Sequence, residues 1–336
     1  MFRRRTVIAL LVSASLLLPV SGVVAQQAPD FAATITAENV MAHIKALSVD
    51  IGTRPAGSEA ETRAADYIAG KFRAWGYEVE VQEFEFEAPP VEGEASAEPG
   101  TSRNVIARRT GDDQVVVVGA HMDSVTEGTG ADDNASGVAA MLAAAEALKD
   151  VEPVHTMVFV AFGSEEIGDL GADEYVKSLG DDIQKVVAML NIDTVGAGTS
   201  TNVYAGATIT WPEDENAAPT IEGGPTWVRD LALSLAGTMN LTFGTTPADT
   251  WGGFTGDWSD HYPFVLAGVP VAYFEAWQWT GAENPWWGQE TAQGDVLHTA
   301  QDVYDVVVPE KVETVAELVS ATTYAIATSA TLPPAG

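Results

Sequence analysis

The stretch His121–Gly137, HMDSVTEGTGADDNASG, lies between the apolar run Val115–Gly119 and the alanine-rich segment Val138–Leu148. A short run of valines predicts a buried strand, and the small apolar residues that follow predict a helix packed closely on its neighbours. A loop that leaves a buried strand and enters a helix is where open α/β sheets gather their ligands. This one carries one histidine and four acidic residues, and it reads as half of a metal site with His121 and Asp133 as metal ligands. The remaining ligands must come from further along the chain.

Outward from that loop the pattern repeats. Val154–Phe162 and Val186–Ile192 are further apolar strands; Glu165–Leu179, Thr226–Ala236 and Val308–Thr328 have helical spacing. Upstream, Thr36–Leu47 predicts a helix. Ser58 caps a second, with Ala65, Tyr67, Ile68, Phe72 and Trp75 on its apolar face and Gly76 as its stop. Val79, Val81, Phe84 and Phe86 alternate as in a strand. Asn104–Arg109 and Val115–Gly119 read as neighbouring strands joined by the turn Gly111–Asp112–Asp113, and Pro89–Ser102 as a surface loop. Strands alternating with helices predict a three-layer α/β/α sandwich around a mixed, largely parallel central sheet. Gly196–Gly224 is polar and carries no assignment. The segment Trp251–Trp287 holds six of the nine tryptophans and predicts a pocket wall, with Trp286 and Trp287 exposed.

Composition narrows the setting. Residues 1–25 have the parts of a secretory signal peptide: Arg3–Arg5, an apolar run to about Val20, and Val23–Ala25 as a small-residue cleavage site. That predicts a secreted or periplasmic protein with a single catalytic domain over 26–336, removal of the leader being favoured over its retention as an anchor. With no cysteine, thiolate zinc is excluded, and any metal must be held by His, Asp and Glu, the ligand set of hydrolytic zinc sites. A formal charge of −32 argues against nucleic acid and against stable membrane association. Oligomeric state is not legible.

Metal-type side chains follow successive strands: His121 and Asp123, Asp132 and Asp133, Glu165 and Glu166, then Asp193, with His298 on a late loop. Singly none is specific. Together the ordered motifs HMDS, GADDNASG, SEEIG, NIDTVG, SDHYPF and LHTAQD, preceded by GTRPAGS, resemble the zinc exopeptidases that include bacterial leucyl and Streptomyces-type aminopeptidases, glutamate carboxypeptidase II and the glutaminyl cyclases. The resemblance covers nearly all of the chain after the leader.

It implies two zinc ions. Asp133 would bridge them, His121 and Asp193 would complete one site, and Glu166 and His298 the other. Family spacing, twelve residues after the histidine and four before the glycine, selects Asp133 over Asp132. The Asp133–Asn134 peptide is expected to be cis, as in relatives. Asp123 would orient His121, and Glu165 would act as general base on a water bridging the metals as it attacks the scissile carbonyl. Asp260, His261 and Tyr262 are expected beside the metals or substrate, with His261 more structural than catalytic. His43 and His155 read as structural or surface residues. Relatives often carry Tyr before the last His; here Leu297 stands there, leaving Tyr262 and Tyr273 as candidates for oxyanion stabilisation.

The implied activity is release of N-terminal, apolar residues from peptides. A glutaminyl cyclase would use a single zinc. A carboxypeptidase would want cations near the motifs, where Arg54 and Arg229 are the few on offer. A non-catalytic peptide-binding domain would have lost the base, and Glu165 is present.

Overall fold

The computed structural model describes residues 29–87, 99–212, 219–279, 288, 289 and 291–333, so the expected leader and Trp286–Trp287 lie outside the described residues. Helices α1 (Phe31–Thr34), α2 (Ala37–Lys45) and α3 (Glu59–Ala74) precede strands β1 (Glu78–Phe86), β2 (Gly100–Arg109) and β3 (Asp112–His121). Then come α4 (Ala135–Leu148), β4 (His155–Phe162), α5 (Leu170–Leu179), β5 (Val186–Ile192), β6 (Asn202–Thr210) and β7 (Thr220–Gly223). The chain closes with α6 (Trp227–Met239), β8 (Phe254–Thr255), α7 (Tyr262–Leu266), β9 (Val271–Glu275) and α8 (Pro309–Ala327).

The sheet runs β1-β2-β4-β3-β5-β9-β6-β7, with β8 on β6. Its centre, β4-β3-β5-β9, is parallel, while β1, β2, β6 and β7 are antiparallel additions on either side. Because side chains alternate along each strand, the two faces build separate cores. Val116, Val118, Phe159, Leu190 and Phe274 meet α2, α3, α4, α6 and α8; Val117, Val160, Phe162, Met189 and Tyr273 meet the α5 and α7 side. This is the expected sandwich of three layers.

Helix α4 shows how composition sets position. Nearly all of it is buried, and its alanines let α2 and α8 approach closely. Leu142 and Leu148 are fully buried, each burial stabilising the fold by about 1.5–3 kcal/mol. Ser58 caps α3 by accepting Glu61 N–H at 3.1 Å, and Gly76 ends the turn at φ +81°.

Three expectations are corrected, and one open segment is assigned. Strands β2 and β3 are not neighbours, since β4 lies between them. The turn residues pack instead against the start of β4: Gly111 N–H donates to Thr156 Oγ1 at 3.0 Å and Asp112 N–H to the Val154 carbonyl at 2.7 Å. The helix expected from Glu165 begins at Leu170, and residues 165–169 are a loop. The first long helix leaves α geometry at Ala46 for a π-helical turn, Ala46–Ile51. Finally, the unassigned segment Gly196–Gly224 supplies β6 and β7. No helix among the described residues is long and apolar enough to cross a membrane.

Candidate metal centre

The carboxyl ends of the parallel strands converge. His121 ends β3, Asp193 follows β5 by one residue, and Glu165 and Glu166 follow β4 by three and four. Asp133 sits just before α4, whose first turn is fixed by Asn134. The Asn134 Oδ1 accepts Gly137 N–H at 2.9 Å and its Nδ2 donates to the Ile192 carbonyl at 2.9 Å, which ties the helix start to the end of β5. The Asp133–Asn134 peptide is cis. Four of the five non-glycine residues with left-handed φ among those described, Ser164, Asp169, Thr194 and His298, lie in these strand-end loops or are themselves candidate ligands. Such backbone costs about 1–3 kcal/mol each and clusters where side-chain placement matters.

The five predicted ligand side chains come together. His121 Nε2 lies 3.1 Å from Asp133 Oδ1 and 3.3 Å from Asp193 Oδ1; His298 Nε2 lies 3.1 Å from Asp133 Oδ2 and from Glu166 Oε2. One carboxylate thus turns a different oxygen to each of two donor triads. Ligand bonds of about 2.0–2.1 Å in a tetrahedron place ligand atoms roughly 3.3 Å apart, so these spacings suit two zinc ions. Glu165 Oε2 stands further off, 3.8 Å from His121 Nε2.

Electrostatics point the same way. Burial, then Asp133, pushes Glu166 up to about 7, and burial pushes Glu165 well above the carboxylate range. Hydrogen bonds to Asp133 and Glu166 raise His298 to about 10. Burial opposes a charged Asp133, yet contacts from both histidines hold it ionised below the usual range. A buried pocket of like charge collects protons in this way unless cations take their place.

Around the ligands the chain builds supports. Asp123 Oδ1 faces His121 Nδ1 at 3.6 Å, and its two oxygens accept the Glu165 and Glu166 N–H groups at 3.1 and 3.2 Å, so it ties the β3 and β4 loops together. Ser259 Oγ donates to Asp193 Oδ2 at 2.8 Å, and Val125 N–H donates to Glu166 Oε1 at 3.0 Å. Asp132 points away from the ligands and accepts Gly196 and Ala197 N–H. Asp302, to which the sequence reading gave no role, accepts the N–H groups of Ala131, Asp132 and Asp133 at 3.0, 2.7 and 3.1 Å. Its one sequence signal is its place in LHTAQD.

Arg54 is fully buried and donates to the carbonyls of Met122, Thr129 and Gly130, each at 2.8 Å. It clamps the His121–Asp133 loop and is not offered to a substrate carboxylate. Arg229 is likewise engaged, by Asp230 and the Gly253 carbonyl.

A cavity of about 540 Å³ opens over the cluster, lined by Asp133, Glu165, Glu166, Asp193 and His298 on one side and by Trp211, Trp258, Trp277 and Trp279 on the other. The tryptophan-rich segment therefore does form a wall. Tyr273 lines it and Tyr262 does not. His261 is buried behind Tyr273, stacked at 4.6 Å, with Nε2 on the Gly256 carbonyl at 2.8 Å; burial lowers its pKa to about 4. Asp260 is fully buried and outside the cavity lining, and neither carboxylate oxygen has a hydrogen-bond partner among the described residues. His43 and His155 are buried, on Tyr67 and Asp112 respectively.

Known proteins resemble this chain in sequence or in fold. Leupeptin-inactivating enzyme 1 of Streptomyces exfoliatus is 31% identical over 296 residues, covering 84% of this chain and 58% of that enzyme. The chain spans about half the length, or less, of the curated relatives it matches first. In fold it is similar to an aminopeptidase from Aneurinibacillus sp. strain AM-1, with a TM-score of 0.69 at 21% identity over 90% of this chain and 97% of that one. It is also similar to the Porphyromonas gingivalis glutaminyl cyclase, with a TM-score of 0.61 at 20% identity over 86% and 98%. Residues 104–323, which carry all five clustered ligands, match the model of peptidase family M28, and the chain belongs to that family.

Proposed function

We propose that this chain is an exported aminopeptidase that holds two zinc ions and releases N-terminal residues from peptides. The observation that carries the reading is the pair of donor triads sharing Asp133, set in the wall of a cavity with Glu165 beside them. His121, Asp133 and Asp193 would hold one ion, and Asp133, Glu166 and His298 the other. Bound there, zinc supplies Lewis acidity, polarising the scissile carbonyl and letting water ionise near neutral pH.

The chain's own groups do the rest. Glu165 lines the cavity without a histidine at hydrogen-bond distance, which leaves it to take the proton of the attacking water and return it to the leaving amine. Asp123 keeps Glu165 placed through its backbone N–H. The acidic lining of the cavity, with Asp169 free of the ligand and base roles, suits an α-ammonium group, which favours an exopeptidase. Retention of both triads favours hydrolysis over single-zinc ring closure, and with Arg54 and Arg229 engaged elsewhere no arginine or lysine among the described residues lines the cavity to take a C-terminal carboxylate. The arginine-led apolar leader supports export, and the acidic surface supports peptide substrates over nucleic acid or membrane.

Aminoacyl-nitroanilide hydrolysis tests the reading. Chelation is expected to abolish it and zinc to restore it, and Glu165→Gln to lower kcat by roughly 100- to 10,000-fold with zinc retained. Activity surviving exhaustive chelation, or a Glu165→Gln protein as active as the parent, would contradict it.

A further inference from the structure

Glu275 closes β9, the strand beside β5. Ile192 pairs with Phe274, and Asp193 N–H donates to the Phe274 carbonyl at 3.0 Å, so Glu275 is level with Asp193 on the same face of the sheet. One strand spacing, about 4.8 Å, separates them. Glu275 lines the same cavity as the metal cluster and is only 5% exposed. Its Oε1 accepts the Tyr273 hydroxyl at 3.2 Å, and the buried Tyr204 hydroxyl also faces the carboxylate, while Oε2 is buried with no partner at full hydrogen-bond geometry among the described residues.

The surroundings of that oxygen define what answers it. Trp211, Trp258, Trp277 and Trp279 line the cavity, Trp211 with its Nε1–H on Asp257 at 3.0 Å. Apart from the proposed ligands and Glu165, the charged lining residues are Asp169, Asp257 and Glu275, all acidic; no lysine or arginine lines the cavity among the described residues. Aromatic faces and carboxylates both attract a cation. The aromatic walls alone would suit the apolar residue expected from the sequence, but an apolar side chain leaves Oε2 with no donor.

We propose that Glu275 makes this part of the cavity a subsite for a cationic first side chain of the substrate, lysine or arginine, whose head group donates to Oε2 between the tryptophan faces. The proposal rests on the aminopeptidase reading above, with Asp169 left to the α-ammonium.

The test compares zinc-loaded parent and Glu275→Gln proteins on lysyl and norleucyl nitroanilides, with calorimetric binding of lysinamide and norleucinamide alongside. The parent is expected to prefer lysyl over norleucyl substrate at least tenfold in kcat/KM. Glu275→Gln keeps an acceptor for Tyr273 and should lose roughly 10- to 100-fold on the lysyl substrate, as removal of a charge-assisted hydrogen bond does, and under about threefold on the norleucyl one. Equal loss on both substrates places Glu275 on the α-ammonium or in packing, and overturns the proposal. If the variant does not fold, the parent decides, since lysinamide bound no more tightly than norleucinamide refutes the subsite. A parent that binds lysinamide selectively but hydrolyses neither nitroanilide refutes the aminopeptidase reading and leaves the subsite standing.

Discussion

Replacing Asp302 by Ala removes one acceptor that three consecutive N–H groups share. The residue is 3% exposed, with Oδ1 on Ala131 and Asp132 and Oδ2 on Asp133. A buried donor left without an acceptor costs about 1–3 kcal/mol, so three set a loss of at least about 3 kcal/mol. The same N–H groups fix the backbone of Asp133, the one side chain common to both donor triads, so both metal sites should loosen together. Loss of a group that orients a ligand costs about 10- to 100-fold in metal affinity. Urea unfolding of the metal-free protein reads the first effect, and competition with a chromophoric chelator reads the second. Exposed Asp305→Ala is the control and should move neither. An Asp302→Ala protein within about 0.5 kcal/mol of the parent and with unchanged zinc affinity would refute the reasoning.

Other outcomes follow from the same contacts. Gly137→Ala would put a Cβ 2.3 Å from Asn134 Oδ1 and 2.4 Å from the Ile192 carbonyl, and should destabilise by about 1–3 kcal/mol in urea unfolding; an unchanged midpoint would show that α4 can shift away from β5. His43 is buried with its pKa lowered from 6.5 to about 4, first by burial and second by Lys71. The unfolded chain therefore takes up this proton first, and the stability His43 contributes is lost as pH falls from 6.5 to 4. At 1.36 kcal/mol per unit, a shift of 6.5 − 4 = 2.5 units is worth roughly 3 kcal/mol. Glu61 and Glu275 are raised to about 8 and change stability in the opposite sense, so the readable quantity is the difference between parent and His43→Gln over that window. A constant difference would contradict the assignment.

His121, Glu166 and Asp193 were legible because they follow apolar strands whose parallel ends meet in space, whereas Asp133 and His298 were assigned through the ordered motifs that carry the family resemblance. Glu275 carries the same signal, an acid closing the apolar run Val271–Phe274, but the surrounding tryptophans directed attention to a wall rather than to its charge. Asp302 had no comparable signal, because its partners lie 169 to 171 residues away and are backbone N–H groups that leave no trace in side-chain pattern. The misread pairing of β2 with β3 has a similar cause. Gly111–Asp113 has the composition of a hairpin turn, and only the long-range insertion of β4, in register with β3 from Val115↔Thr156 to His121↔Phe162, parts the two strands. Arg54 was weighed as a free cation, and its burial under the loop is a tertiary fact that sequence spacing does not carry.

Zinc content per chain, by elemental analysis of parent and Asp133→Ala proteins after dialysis, tests the central claim most directly. The shared carboxylate predicts two zinc ions per parent chain and fewer than one in the variant, because both triads lose a ligand at once. One ion or none in the parent, or two retained in Asp133→Ala, would contradict it.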